Sequence, residues 1–271
     1  MAVRAILYDA AGHDREANLK DCPLSSLTED QLLWVDLTVD GENAIKQLPE
    51  EMRDFAGDLA ALGGLEIFNH RYRFSLALGD KSSLAFIAGK SWLLTVNQKR
   101  PEFFNYFIDS DRGETLKGRM TSTALMTALL MRHLDGYRGE ISDIDTAIDK
   151  LDETILRSRE KRAPLRTLAA LRRRVSGLRG TLGEQRGVVH ALVSPDFLAH
   201  VDASDHAYLV ETNRAYERLE DAVERAPTNP SESHSGRSRR KIMLLALMAV
   251  MVGLAVFGLL LATGTIGGTS L

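Results

Sequence analysis

Residues 130 to 155 read LMRHLDGYRGEISDIDTAIDKLDETI, and the spacing of their apolar side chains decides the fold class. Leu130, Leu134, Tyr137, Ile141, Ile144, Ile148, Leu151 and Ile155 alternate steps of four and three. A helix carries that pattern as one unbroken seam, which it buries against partner helices. Downstream, Leu165, Leu168, Leu171, Val175, Leu178 and Leu182 keep a similar register, and Pro164 is expected to open that helix. After a break at Ser194-Pro195-Asp196, a third stretch uses Leu209, Tyr216, Leu219 and Val223. Three long amphipathic helices in antiparallel hairpins are the expected packing. Tyr137, Tyr208 and Tyr216 read as helix-packing positions.

Upstream the pattern changes. Ala2–Tyr8 and Leu32–Val39 read as strands, as do Tyr72–Leu78 and Leu84–Val96, the last broken by a Gly89-Lys90 turn. Glu42 to Leu62 has helical spacing, with Ile45, Leu48, Met52, Phe55 and Leu59 along one stripe. Pro49 should interrupt it or open a fresh first turn, and Gly63-Gly64 should end it. Pro101 opens a short helix through Phe107. The fold class is therefore α+β. A mixed α/β domain occupies 1–113 and a long-helix stalk region occupies 114–225. A flexible linker, basic at its end, follows over 226–241, then a transmembrane helix over 242–263 and a short external tail over 264–271.

The transmembrane reading rests on Ile242–Thr263, IMLLALMAVMVGLAVFGLLLAT, which carries no charge. At about 1.5 Å per residue such a helix covers roughly 33 Å, enough for a hydrocarbon core of about 30 Å. Arg237, Arg239, Arg240 and Lys241 precede it, whereas 264–271 has no charged side chain. The positive-inside rule then keeps the N-terminal part in the cytoplasm, with one pass through a cell membrane. Ala249 and Gly253 are four apart, as are Gly258 and Ala262. Such spacing suits close helix contact, and small residues are also ordinary in membrane helices.

The net charge of −3 gives no general argument for nucleic acid, and Cys22, the single cysteine, excludes an internal disulfide. Residues 1–10 lack an apolar core of signal-peptide length. The stretch Arg157 to Arg186 is strongly basic, yet no aromatic residue is interleaved to stack bases. Pairing with acidic helices or attraction to anionic lipid fits it better than nucleic acid. His200, Asp202, Asp205 and His206 form the densest group of possible metal ligands, in a turn where the same residues also serve as ordinary caps. No phosphate loop, nucleophile elbow or zinc-binding His-Glu helix is present, so nothing points to an enzyme or to a resident cofactor.

Four segments, in this order, resemble the CorA-type divalent cation transporters, and particularly their ZntB-like branch. They are Trp34-Val35-Asp36-Leu37, the strand ending Leu93-Leu94-Thr95-Val96-Asn97, the run Asp135 to Glu153, and the basic helix Leu168 to Arg186. The resemblance covers about residues 30 to 225. It implies an N-terminal α/β domain, helices forming a cytoplasmic funnel, a homo-oligomer that is a pentamer, and a divalent cation, Mg²⁺ or Zn²⁺, as cargo. It also implies weak cation sites among carboxylates at subunit boundaries, for which Glu140, Asp143, Asp145, Asp149, Asp152 and Glu153 are the candidates. Their other reading is a solvated helix face. The chain departs from the family pattern in having no Gly-Met-Asn sequence and one apolar span. Two expectations follow. One is a transporter subunit that acts alone or with a full-length partner; the other is a non-conducting, membrane-anchored scaffold or regulator.

Overall fold

The computed structural model describes residues 3–11, 14–19, 22–39, 45–56, 64–79, 82–105, 121–157 and 162–226. Seven strands form one sheet: β1 (Val3–Asp9), β2 (Arg15–Glu16), β3 (Gln31–Thr38), β4 (Glu66–Phe68), β5 (Arg71–Ala77), β6 (Ser83–Ala88) and β7 (Trp92–Asn97). Their order across the sheet is β2-β1-β3-β7-β6-β5-β4. Every neighbouring pair is antiparallel except the central one, β3 and β7, which run parallel with Trp34 opposite Leu93 and Asp36 opposite Thr95. The four expected runs are present within a few residues, the last of them divided at its Gly89-Lys90 turn into β6 and β7. The short edge strands β2 and β4 are additions to that reading.

The sheet is covered on both faces, and β3 shows why. Its sequence QLLWVDLT is apolar at both parities, the mark of a strand with no wet side. Leu33, Val35 and Leu37 point one way, into a core completed by Leu94, Val96, Leu48 and Met52. Leu32 and Trp34 point the other way, to Phe74, Phe86, Phe104, Leu125, Leu129 and Val188. On the first face the helical stretch expected over 42–62 is realised as a 3-10 turn, Ile45–Gln47, and helix α1 (Glu50–Ala56). The Pro49 carbonyl accepts from the amides of Met52 and Arg53, so the proline does open a fresh first turn. Residues 57–63 and 106–120 lie outside the described set, and with them the ends of the two shorter expected helices.

The other face carries the long helices α2 (Ser122–Arg157), α3 (Arg162–Ala191) and α4 (His206–Arg225). The heptad reading holds along α2, where Leu130, Leu134, Tyr137, Ile144, Ile148 and Leu151 are buried. In α3, Leu171, Val175, Leu178 and Leu182 are buried, whereas Leu165 is 62% exposed. Pro164 sits within the first turn of α3, where its missing N–H is harmless. Tyr216 is buried, but Tyr208 is exposed and not a packing residue. Cross-contacts fix the directions: Arg174 pairs with Glu140 and Gln185 reaches His133, so α2 and α3 are antiparallel. The Tyr216 hydroxyl donates to the Leu182 carbonyl and Arg179 donates to the Val223 carbonyl, so α3 and α4 are antiparallel too.

Met1–Arg225 forms one compact unit, and the boundary expected at 113 falls among residues not described. No helix among the described residues is long and apolar enough to cross a membrane. The basic cluster Arg237, Arg239, Arg240 and Lys241, the span 242–263 and its small residues Ala249, Gly253, Gly258 and Ala262 all lie outside the described residues.

Candidate functional site

Three of the four possible metal ligands do meet, though not as a ligand set. His200, Asp202 and Asp205 line a cavity of about 150 Å³ with His70, Tyr72, Lys90, Ser122 and Thr123. The cavity lies where α2 begins and the chain turns into α4. The side chains of His200, Asp205 and His206 are engaged with their own chain, and Asp202 is engaged through its backbone. Nδ1 of His200 meets the Asp196 carbonyl at 2.6 Å, and Nε2 of His206 meets the Leu198 carbonyl at 2.9 Å. The buried carboxylate of Asp205 accepts from Thr121 Oγ1 at 2.7 Å. Thr121 Oγ1 in turn accepts from the Ala124 amide at 2.9 Å, capping α2. Asp202 precedes a 3-10 turn, Ala203–Asp205, and its carbonyl accepts from the Asp205 amide at 2.9 Å. Among the described residues no group of three His, Cys, Asp or Glu side chains is placed to hold a metal ion. The turn also serves as a structural junction: through Thr121 and Asp205 it ties the start of α2 to the start of α4.

A second polar centre lies at the C-terminal end of the parallel pair. The period of two puts Trp34, Asp36 and Thr38 on the face of β3 that looks toward α2, beside Thr95 and Asn97 of β7. Asp36 is 4% exposed. Its Oδ1 accepts from Asn97 Nδ2 at 2.7 Å and from Thr95 Oγ1 at 3.1 Å, and its Oδ2 accepts from Arg100 Nε at 2.6 Å. Trp34 Nε1 donates to Thr95 Oγ1, and Thr38 Oγ1 donates to Asn97 Oδ1. Burial pushes the Asp36 carboxyl above its usual range, and the Arg100 guanidinium with three hydrogen bonds pulls the other way. With the carboxylate this fully engaged, the arrangement binds strand to strand and offers no open ligand position. The sequence motif marked these residues, but only the register of two distant strands gives them a role.

The third feature is the long-helix surface. Asp143, Asp145 and Asp149 are exposed on α2, and Arg166, Arg172, Arg173 and Arg174 are exposed on α3. Arg174 and Glu140 pair at 3.3 Å across these faces. Gln185 of α3 approaches His133 Nε2 of α2 at 3.2 Å and donates through Nε2 to the Ala77 carbonyl of β5 at 2.6 Å. Burial lowers His133 to about 4, so its ring is neutral and can accept that amide proton. This layer is a scaffold with one charged, solvent-facing side.

The family described as "CorA-like Mg2+ transporter protein" matches residues 29–241. No curated protein matches the chain. Among solved structures, that of the full-length CmaX protein is similar with a TM-score of 0.67 at 19% identity, covering 99% of this chain and 86% of that one. The complete CorA magnesium transporter from Methanocaldococcus jannaschii gives 0.63 at 13% identity, over 99% of this chain and 84% of that one. The ZntB cytoplasmic domain from Vibrio parahaemolyticus RIMD 2210633 gives 0.55 at 8% identity, over 87% and 99%. At these identities the structural likeness speaks for the fold.

Proposed function

Because the chain belongs to the CorA-like Mg2+ transporter protein family, we propose that it serves divalent-cation transport, of Mg²⁺ or Zn²⁺, as a membrane-anchored, self-associating funnel-type subunit. In this reading it scaffolds or regulates a conducting relative and does not conduct alone. The observation that carries the proposal is the family match itself, which runs through β3–β7 and α2–α4 without interruption. The anchor is Ile242–Thr263, with Arg237–Lys241 on the cytoplasmic side of an inner membrane. Dependence on a partner follows from chemistry. A cation pore needs polar groups that hold or replace hydration water. The proposed span has only Thr263 as a polar side chain, at its edge, and the sequence contains no Gly-Met-Asn. A ring of such helices would be apolar and dry.

The test is ion flux in liposomes. The full chain alone should move neither Mg²⁺ nor Zn²⁺ above empty vesicles. Co-reconstituted with a relative bearing Gly-Met-Asn, it should change that relative's flux. Saturable uptake by the chain alone, abolished by truncation before Ile242, would make it a pore in its own right. An unchanged flux with the relative would remove the transport role.

A further inference from the structure

We infer that a cavity at one end of the sheet binds a nucleoside monophosphate, with the base stacked on Phe68 and the phosphate held at Lys90. The site stands apart from the proposed transport role and does not depend on it.

The cavity encloses about 570 Å³, a volume suited to a small ligand. It is lined by Phe55 of α1, by Phe68, His70 and Arg71 of the β4–β5 hairpin, and by Lys90 and Trp92 of the β6–β7 turn. Sheet register brings these turns together. Phe68 opposes Arg71 across the two-residue turn Asn69-His70, and Tyr72 opposes Ala88. Asn69 takes the left-handed conformation at φ 53°, which asparagine accepts more readily than most residues. On the other turn the Trp92 ring lies against Gly89, in space that a Cβ would fill.

The charges of the lining divide into spent and available. Arg71 pairs with Glu51 and stands 5.5 Å from the Phe55 ring. Its neighbour Arg73 pairs with Glu66 at 2.7 Å and stands 5.5 Å from the Phe68 ring. Both planar guanidinium groups, the natural partners of a carboxylate, are therefore already taken by carboxylates of the chain. Lys90 is different. Among the described residues its acidic neighbour is Glu29 at 3.5 Å, and the two side chains are 71% and 76% exposed. A pair that wet contributes little. An ammonium group with such a weak partner suits the spread oxygens of a phosphate.

Phe68 supplies the other half. It meets Phe55 edge-on at 5.1 Å, yet it stays 45% exposed. An exposed ring in the same cavity as a lightly engaged cation fits one molecule with a flat ring at one end and an oxyanion at the other. A longer single strand would want a run of alternating aromatic and basic residues, and a single such pair holds one nucleotide.

The experiment titrates adenosine monophosphate into the full chain in mild detergent and follows the heat of binding. Adenosine and inorganic phosphate are titrated separately. The nucleotide should bind saturably and more tightly than either fragment. Phe68→Ala should weaken it about ten-fold and leave inorganic phosphate unchanged, and Phe68→Tyr, which keeps a ring, should bind as the native chain does. Lys90→Gln should weaken nucleotide and phosphate alike, as should added salt. Tyr208→Ala, at an exposed aromatic of α4, should have no effect. Absence of saturable binding would overturn the inference, as would nucleotide binding that neither Phe68→Ala nor Lys90→Gln changes. Inorganic phosphate binding as tightly as the nucleotide would overturn the role of Phe68 and with it the nucleotide assignment.

Discussion

At Asp36 a single carboxylate holds the two halves of the sheet in register. Replacing it with alanine leaves Asn97 Nδ2, the Thr95 hydroxyl and the Arg100 guanidinium without their shared acceptor. Buried donors stranded in this way cost about 2–4 kcal/mol. Asp36→Ala should lower the urea midpoint accordingly, with the m-value unchanged. His133 gives a pH dependence of definite sign. Its folded pKa, about 4, lies below the unfolded value of about 6.5. The neutral ring is the stable one in the fold, so its contribution is complete above about pH 6.5. It is lost as pH falls toward 4, by about 3 kcal/mol in all. Stability measured from pH 7 to 4 should fall by that amount, and His133→Leu should flatten the fall. What the sequence offered at this scale was uneven. The Gly89-Lys90 turn was legible from composition. Its reason was not: a Cβ on Gly89 would sit 2.5 Å from the Trp92 ring. Trp34, Asp36 and Asn97 stood out as a pattern without a mechanism, because their contacts join residues about sixty positions apart.

The helices were the most legible elements, since an amphipathic seam is a local signal. Where the reading of α3 failed, the geometry explains it. Leu165 keeps the register, but beyond the end of α4 the helix has, among the described residues, only α2 beside it, and Leu165 is left exposed. Tyr208 failed for a different reason. The buried stripe of α4 runs through Leu209, Thr212, Tyr216, Leu219 and Val223, and Tyr208 stands one position off it. The turn holding His200, Asp202, Asp205 and His206 could not be resolved from sequence either, because a capping group and a ligand are the same residue types. Only the partner atoms distinguish them. Arg179 carries the prediction at this scale. Through Nε and Nη2 it satisfies carbonyls of the last turn of α4 that no helical amide can reach. Arg179→Ala should cost about 1–2 kcal/mol. Amides of residues 219–225 should exchange faster, while those of α2 keep their protection.

Self-association is the prediction for the whole molecule. Among the described residues, the part of the α2–α3 hairpin beyond α4 has no third helix beside it, unlike the rest of the bundle. In mild detergent, light scattering corrected for the micelle should give a mass well above the 30.0 kDa of one chain. A monomer at tens of micromolar would remove the funnel-type assembly from the proposed function. The order of strands has a consequence for biosynthesis. β3 leaves the ribosome with β1 as its neighbour on one side, while its parallel partner β7 is still some sixty residues from being made. At about 5–20 residues per second, the wait lasts about 3–12 s. Through that interval a strand that is apolar on both faces presents a bare edge, the form most prone to pair with another chain. The newborn protein therefore needs shielding through that interval, and a stall before Trp92 would leave it at its stickiest.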